Sequence, residues 1–191
     1  MMIRTWEHFW TEKNNVRYEF SSTHVNLPHG IASQVIQWGK KHIAPEDIYN
    51  YDGKFGREDD IHVTVLYGLH DATSENAEEV LQDERPVELE LGKVTAFTNN
   101  PKFDVIKIDI ISPDLHRINK KLKSNLEYTT DYPQYHPHAT IAYVKKGKGE
   151  KYETGDAFAC ERITCREIIF SSKTGKKDKI ELNGLKKLQI S

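Results

Sequence analysis

His62-Val63-Thr64-Val65 and His138-Ala139-Thr140-Ile141 are the two stretches whose reading decides the fold. Each sets a His and a Thr on either side of one apolar residue and closes on a β-branched one. In a β-strand, residues two apart share a face, so each stretch offers an imidazole and a hydroxyl together while its apolar partners face a core. With nine His in 191 residues, a single His-x-Thr carries little weight. Apolar residues at the second and fourth positions of both copies are much harder to reach by chance. Two such strands facing one another supply two titratable imidazoles and two hydroxyls, the groups that proton transfer and anion binding require.

Outward from these stretches the order of elements repeats. Residues 16–27 (VRYEFSSTHVNL) alternate and are rich in strand formers, which predicts a strand. Pro28 then opens a helix to about Ile43, with Ile31, Val35 and Trp38 on its apolar side. A polar stretch, 48–60, leads into the first motif strand at about 61–69. Further on, Phe103–Ile111 reads as a strand and Ser112-Pro113 as an N-cap and first helical residue. Leu115, Ile118, Leu122 and Leu126 form that helix's apolar stripe, and His138–Val144 is the second motif strand. Strand, Pro-initiated helix, irregular loop and motif strand thus occur over 16–65 and again over 103–141. Ser74 is expected to cap a short helix to Gln82, and Val87–Phe97 to form a hairpin with 103–111 through Asn99-Asn100-Pro101. Two more strands are expected near Ile163–Ser171 and Lys179–Leu182. Residues 1–15, with Trp6, Phe9 and Trp10, read as an N-terminal extension, and 16–191 as a single domain.

Bulk properties narrow the class. A formal net charge of -2 argues against a non-specific nucleic-acid coat, which is usually strongly basic, so any nucleotide contact is expected to be local. No apolar run approaches the roughly 20 residues of a membrane span, and 1–15 lacks the apolar segment of a signal peptide. Cys160 and Cys165 are the two cysteines, expected as free thiols in a reducing cytoplasm.

Both motifs are intact, and the longer runs TVLYGLH (64–70), SPDLHRIN (112–119) and HPHATIAYVKKGKGEKY (136–152) accompany them. On these residues the chain resembles the 2H phosphoesterase superfamily, the 2′,5′-RNA ligase-like and cyclic phosphodiesterase proteins, over roughly 16–183. The longer runs resemble a subgroup of bacteria and their phages, and more loosely the phage anti-CBASS phosphodiesterases that open cyclic oligonucleotide signals. The resemblance implies an α+β, bilobed, pseudo-two-fold fold, with antiparallel sheets lining a central cleft and helices outside. It also implies a phosphodiesterase acting on a 2′-linked, 2′,3′-cyclic or cyclic-oligonucleotide phosphate, in the cytoplasm, or the host cytoplasm if phage-encoded. His62 and His138 would share acid and base work while Thr64 and Thr140 hold phosphate oxygens, with no cofactor and no metal. A zinc site from His62, His136 and His138 would lack a carboxylate or Cys at a familiar spacing.

The expected partner is a nucleotide, cyclic oligonucleotide or short RNA, with no membrane and no obligate protein partner. Further binding candidates are Tyr18, which shares a face with Phe20 on the first strand, and Arg57, His136 and Tyr143. Lys145 and Lys146 join them, from a basic, Gly-punctuated loop positioned to attract phosphate. Strict alternation turns Tyr67 away from the motif face, and gives Tyr143 the parity of Thr140 only if a bulge intervenes. His24 and His70 read as ordinary surface or cap residues. Two other readings stand beside catalysis: a non-catalytic nucleotide- or RNA-binding module, and an interaction domain of a phage particle protein that docks through 1–15.

Overall fold

A computed structural model describes residues 18–51, 53, 55–132, 134–158 and 160–184; the extension read over 1–15 lies outside the described residues. The described chain folds as β1 (Ser21–Asn26), α1 (His29–His42), β2 (His62–Leu69), α2 (Glu75–Leu81), β3 (Val87–Phe97) and β4 (Phe103–Ile111). It continues as α3 (Pro113–Asn125), β5 (His138–Lys145), β6 (Arg162–Cys165), β7 (Glu167–Ser171) and β8 (Lys177–Glu181). Local chemistry sets the boundaries. Pro28 stands at the N-cap of α1 and lysines 40 and 41 in its last turn, where positive charge suits the helix dipole. Ser112 accepts a hydrogen bond from Leu115 N (3.1 Å) with Pro113 at the first helical position of α3. Asn100 Oδ1 accepts from the Lys102 amide (2.8 Å) and so closes the β3–β4 hairpin.

The strands form one eight-stranded sheet in the order β6-β3-β4-β5-β2-β1-β7-β8. Every strand pair is antiparallel. The sheet divides at its centre: β2 and β5 share a single registered pair, Val63 opposite Ala139. Those are the middle residues of the two motifs. On either side the same unit is laid down, β1-α1-β2 and β4-α3-β5, with β1 paired to β2 and β4 to β5. The pseudo-two-fold axis therefore passes between Val63 and Ala139. The architecture is the α+β, two-halved fold that the resemblance implied, its two antiparallel halves fused into one sheet at that pair.

One expected strand is corrected. The stretch near Ile163–Ser171 is two strands broken at Arg166, with β6 first and β7 seventh in the sheet order. In a flat sheet their positions would be about 29 Å apart, whereas a single intervening residue spans at most about 7.6 Å. The sheet must curl until its edges approach. The Leu182 amide closes the corner on Arg166 O (2.8 Å).

Each loop before a motif strand crosses to the other half. Ahead of β2, Tyr49, Gly56 and Glu58 bond to β5: Tyr49 N to Tyr143 O (3.0 Å), Tyr143 N to Gly56 O (2.7 Å) and Glu58 N to Ile141 O (2.9 Å). Residues 127–129 pair with β2 through His70 N to Glu127 O (3.1 Å) and Thr129 N to Gly68 O (2.9 Å). Gly68 has φ +93, and a Cβ there would lie 1.8 Å from Thr129 O, so only glycine admits the crossing. The helices pack on the face carrying Val63, Val65, Ala139 and Ile141, all buried. Gly39 of α1 comes so close to Ile141 that a Cβ would meet its side chain at 2.9 Å. Asn119 of α3 donates to Val65 O (2.6 Å) where β2 leaves β5. Among the described residues no helix is long and apolar enough to cross a membrane.

Candidate active site

Alternation about the Val63–Ala139 pair puts His62, Thr64, His138 and Thr140 on the face opposite the helices. All four line one cleft of about 220 Å³. Antiparallel pairing sets His62 toward Thr140 and Thr64 toward His138, so each imidazole has the other motif's hydroxyl across from it.

The two imidazoles are held alike. His62 Nδ1 bonds to Asp60 O (2.8 Å) and His138 Nδ1 to His136 O (2.7 Å), each a carbonyl two residues upstream. A carbonyl only accepts, so Nδ1 carries the proton and Nε2 is bare in the neutral ring. Among the described residues neither Nε2 nor either Thr hydroxyl has a hydrogen-bond partner. Burial lowers the pKa of both rings, to about 4 for His138, where the Lys107 ammonium and His62 add to the effect. The free protein near pH 7 therefore presents two neutral imidazoles to the cleft.

Two residues on neighbouring strands support them. His24 lies opposite Thr64 on β1, and Lys107 opposite Thr140 on β4, so they are pseudo-symmetric counterparts. His24 is buried rather than on the surface as expected, its ring 4.7 Å from that of His62, and burial drives its pKa down to about 3. Lys107 is also buried; its Nζ donates to Asp109 Oδ1 and Thr95 Oγ1 and sits 4.3 Å over the Phe97 ring. The Phe97 ring in turn meets His138 edge-on at 4.9 Å. A lone Lys within FDVIKIDII is the one trace of this in the sequence.

The tyrosines correct the strict alternation. Register shifts between Thr23 and His24 on β1, and between Ile106 and Lys107 on β4, leave one extra residue in β2 and in β5. These matched β-bulges bring Tyr67 and Tyr143, each five residues after its His, onto the cleft face, and both line the cleft. The repeat is thus His-x-Thr-x-x-Tyr in both halves.

Of the other expected binding residues, His136 and Tyr143 line the cleft, and Tyr18, Arg57, Lys145 and Lys146 do not. Arg57 caps α1 instead: its guanidinium donates to Gly39 O (3.2 Å) and Ile43 O (2.5 Å). Lys146 pairs with the buried carboxylate of Asp104 (3.1 Å), which also accepts from Gly147 N (2.8 Å) and Gly149 N (2.9 Å). The basic loop is thereby folded down onto β4, and Lys145 stays exposed at the end of β5. Tyr18 and Phe20 precede β1; the Tyr18 amide donates to Lys173 O (2.6 Å), and the Phe20 ring packs on Tyr67 and His70. Among the described residues no three His, Cys, Asp or Glu side chains group as a metal site requires.

The profile of the 2′-5′ RNA ligase superfamily matches residues 3–165. The chain belongs to the 2′-5′ RNA ligase superfamily. The family match begins inside the stretch read as an extension and includes both motif strands. Among curated proteins none matches the sequence. Among solved structures, TT0787 of Thermus thermophilus is similar with a TM-score of 0.60 at 14% identity, covering 87% of this chain and 100% of that one. LigT of E. coli in its apo form follows at 0.59 and 19%, covering 90% and 96%. Usb1 of Kluyveromyces marxianus is similar at 0.54 and 12%, covering 85% and 97%. LigT has also been solved with phosphate and with 3′-AMP. At these identities the superfamily's fold is shared, and the catalytic reading rests on the geometry of this chain.

Proposed function

We propose that the protein is a metal-independent phosphodiesterase in which His62 and His138 exchange protons with the attacking and leaving oxygens of a nucleotide phosphodiester. The observation that carries this reading is the pairing of two bare Nε2 atoms, each fixed by its own carbonyl, across a two-fold cleft. Cleavage needs one group to take a proton from the attacking oxygen and another to give one to the leaving oxygen. One neutral imidazole serves as the base. The other becomes the acid when a phosphate anion enters and favours its protonated form, offsetting the loss of solvation. Thr64 and Thr140 donate to the non-bridging oxygens and stabilise the charge that grows on them.

The substrate classes that suit this centre are a 2′,3′-cyclic phosphate, a 2′,5′ linkage and a cyclic oligonucleotide. The LigT complexes with phosphate and 3′-AMP support a phosphate-and-nucleoside ligand for the fold. The test is incubation, with chelator present, against a panel of all three classes, with products identified by mass. Turnover with the phosphate left on a defined ribose oxygen supports the reading. No turnover of any member, or turnover abolished by the chelator, overturns it.

A further inference from the structure

The cleft does not stop at the sheet. Helix α3 packs on the face of β2 that carries Val63 and Val65, opposite the motif His and Thr, yet its Asn119 and Lys123 line the cleft with them. A residue beneath a sheet lines a cavity above it only where neighbouring backbone segments part. They part beside β2. Beyond the Val63–Ala139 pair, β2 is tied to the chain ahead of β5 at two places. One is the Tyr135 hydroxyl donating to Thr64 O (2.9 Å), the other Thr129 N donating to Gly68 O (2.9 Å). Leu66 and Tyr67, which lie between these ties on β2, line the cleft, as do Thr130 and Tyr132 from the other segment. Asn119 is fixed by its bond to Val65 O (2.6 Å), and Lys123 follows it by one turn, about 6 Å along α3.

We infer that this opening is an anion subsite, in which Lys123 holds a phosphate of the substrate other than the one set between His62 and His138. The ligand class is then a nucleotide chain with at least two phosphates, the second being a further linkage or a phosphorylated end. This rests on the reading of the His/Thr centre as the place where the cleaved phosphate sits.

Charge is the first support. Lys123 is the one lysine or arginine lining the cleft among the described residues. The other cations nearby are already spent. Lys107 is bound to Asp109 and Thr95, and Lys177 to Asp60 (2.7 Å). Lys121, two residues before Lys123 on α3, pairs with Asp83 (2.5 Å) and Glu84 (2.9 Å). Lys123 makes no ion pair among the described residues; its ammonium sits 5.6 Å from the centre of the Tyr128 ring. An aromatic face holds a cation in place without neutralising it. The motif imidazoles are neutral, and Glu58, only 6% exposed, has its pKa pushed up to about 8 by burial and then by Asp59 and Asp60. An anionic chain entering this cleft therefore meets one fixed positive charge, at Lys123.

The second support is that the halves differ here. At the matching place beside β5, Glu58 N and Gly56 O close the backbone onto Ile141 and Tyr143, and no residue of α1 lines the cleft. Arg57, the cation on that side, donates to the carbonyls of Gly39 and Ile43 in α1. A pseudo-two-fold centre with a cation on one side alone takes a chain of phosphates in one direction.

The test uses the full chain carrying His62→Ala and His138→Ala, so that ligands survive, and measures binding by calorimetry at several salt concentrations. Probes are 2′,5′- and 3′,5′-linked dinucleoside monophosphates, the same molecules with a phosphate on either end, and the trinucleoside diphosphates. A second phosphate is expected to tighten binding at least about tenfold, the scale of a charge-assisted contact. Gain from a terminal phosphate identifies a phosphorylated end, gain from the added linkage identifies a longer strand, and either supports the subsite. Lys123→Met, which keeps an apolar stem against Tyr128, is expected to remove the gain and to cost the one-phosphate probes no more than about twofold. It should also lower the slope of log affinity against log salt for the two-phosphate probes by about 0.7 to 1, whereas Lys123→Arg keeps both gain and slope. Equal affinity for one- and two-phosphate probes overturns the inference, as does a Lys123→Met protein that binds both kinds equally less well. Cleavage by the unsubstituted protein separates this from the catalytic reading. A Lys123-dependent gain with no cleavage of any probe leaves the subsite standing and removes the phosphodiesterase. Cleavage of the one-phosphate probes with no gain from a second phosphate does the reverse.

Discussion

Individual side chains in the cleft differ most in what burial does to their charge. Glu58 holds a proton in the folded protein up to about pH 8, whereas the unfolded chain releases it near 4.5. The folded state therefore binds the extra proton between those values, and stability falls as pH rises through that window. Glu58→Gln should flatten the loss, so its melting temperature should exceed that of the natural protein at pH 9 and match it at pH 5. Parallel melting curves across that range would contradict the assignment of a neutral carboxyl. The hydroxyls make a separate prediction. Thr64→Val and Thr140→Val keep the shape of the strand but remove a donor to phosphate, and each should lower kcat by about 10²-fold, the scale of a lost oxyanion donor. Steady-state rates on a cleaved dinucleotide check this, with unchanged melting temperature as the control. Of these residues the sequence marked the four His and Thr by their spacing. Glu58 and Lys107 carried no such mark, because the burial that makes them unusual comes from strands and loops distant in the chain.

Elements defined by local chemistry were legible: the Pro28 and Ser112-Pro113 helix starts, the β3–β4 hairpin and both motif strands fall where propensity and capping put them. What alternation missed was non-local. The bulges in β2 and β5 exist only in register with β1 and β4, so Tyr67 reads as a core residue until its partners are known. The break at Arg166 is equally invisible, since β6 and β7 are both short strand-forming runs and only their partners, β3 and β1, separate them. The crossing loops depend on one glycine. At Gly68 any side chain faces both a positive φ and the Thr129 carbonyl. Gly68→Ala should cost at least about 2 kcal/mol in denaturant unfolding and should displace Thr129 and, with it, Thr130, which lines the cleft. A cost under about 0.5 kcal/mol, the range of ordinary surface substitutions, would mean the crossing is not fixed in this way.

At the scale of the whole molecule, the duplicated halves meet at one pair of residues, and everything that makes the site is counted outward from it. The same arrangement concentrates neutral imidazoles at the sheet centre. His24 and His138 have pKa values lowered to about 3 and about 4 by burial, and His62 is lowered as well. A depressed His stabilises the fold above its unfolded value of 6.5, and that contribution is lost as pH falls through the folded values. Acid unfolding should accordingly set in between about pH 6 and pH 3, and His24→Phe, which stays uncharged, should shift it to lower pH in a circular-dichroism titration. An unchanged midpoint would remove His24 from the account. The central claim is that the two motif imidazoles act as one acid–base pair, and the most direct measurement of it is a kinetic cycle. His62→Ala, His138→Ala and the double variant should each lower kcat by at least about 10²-fold. The double should lose little more than the worse single, as groups that act together do. Near-natural rates in either single variant, or losses that simply multiply in the double, would contradict it.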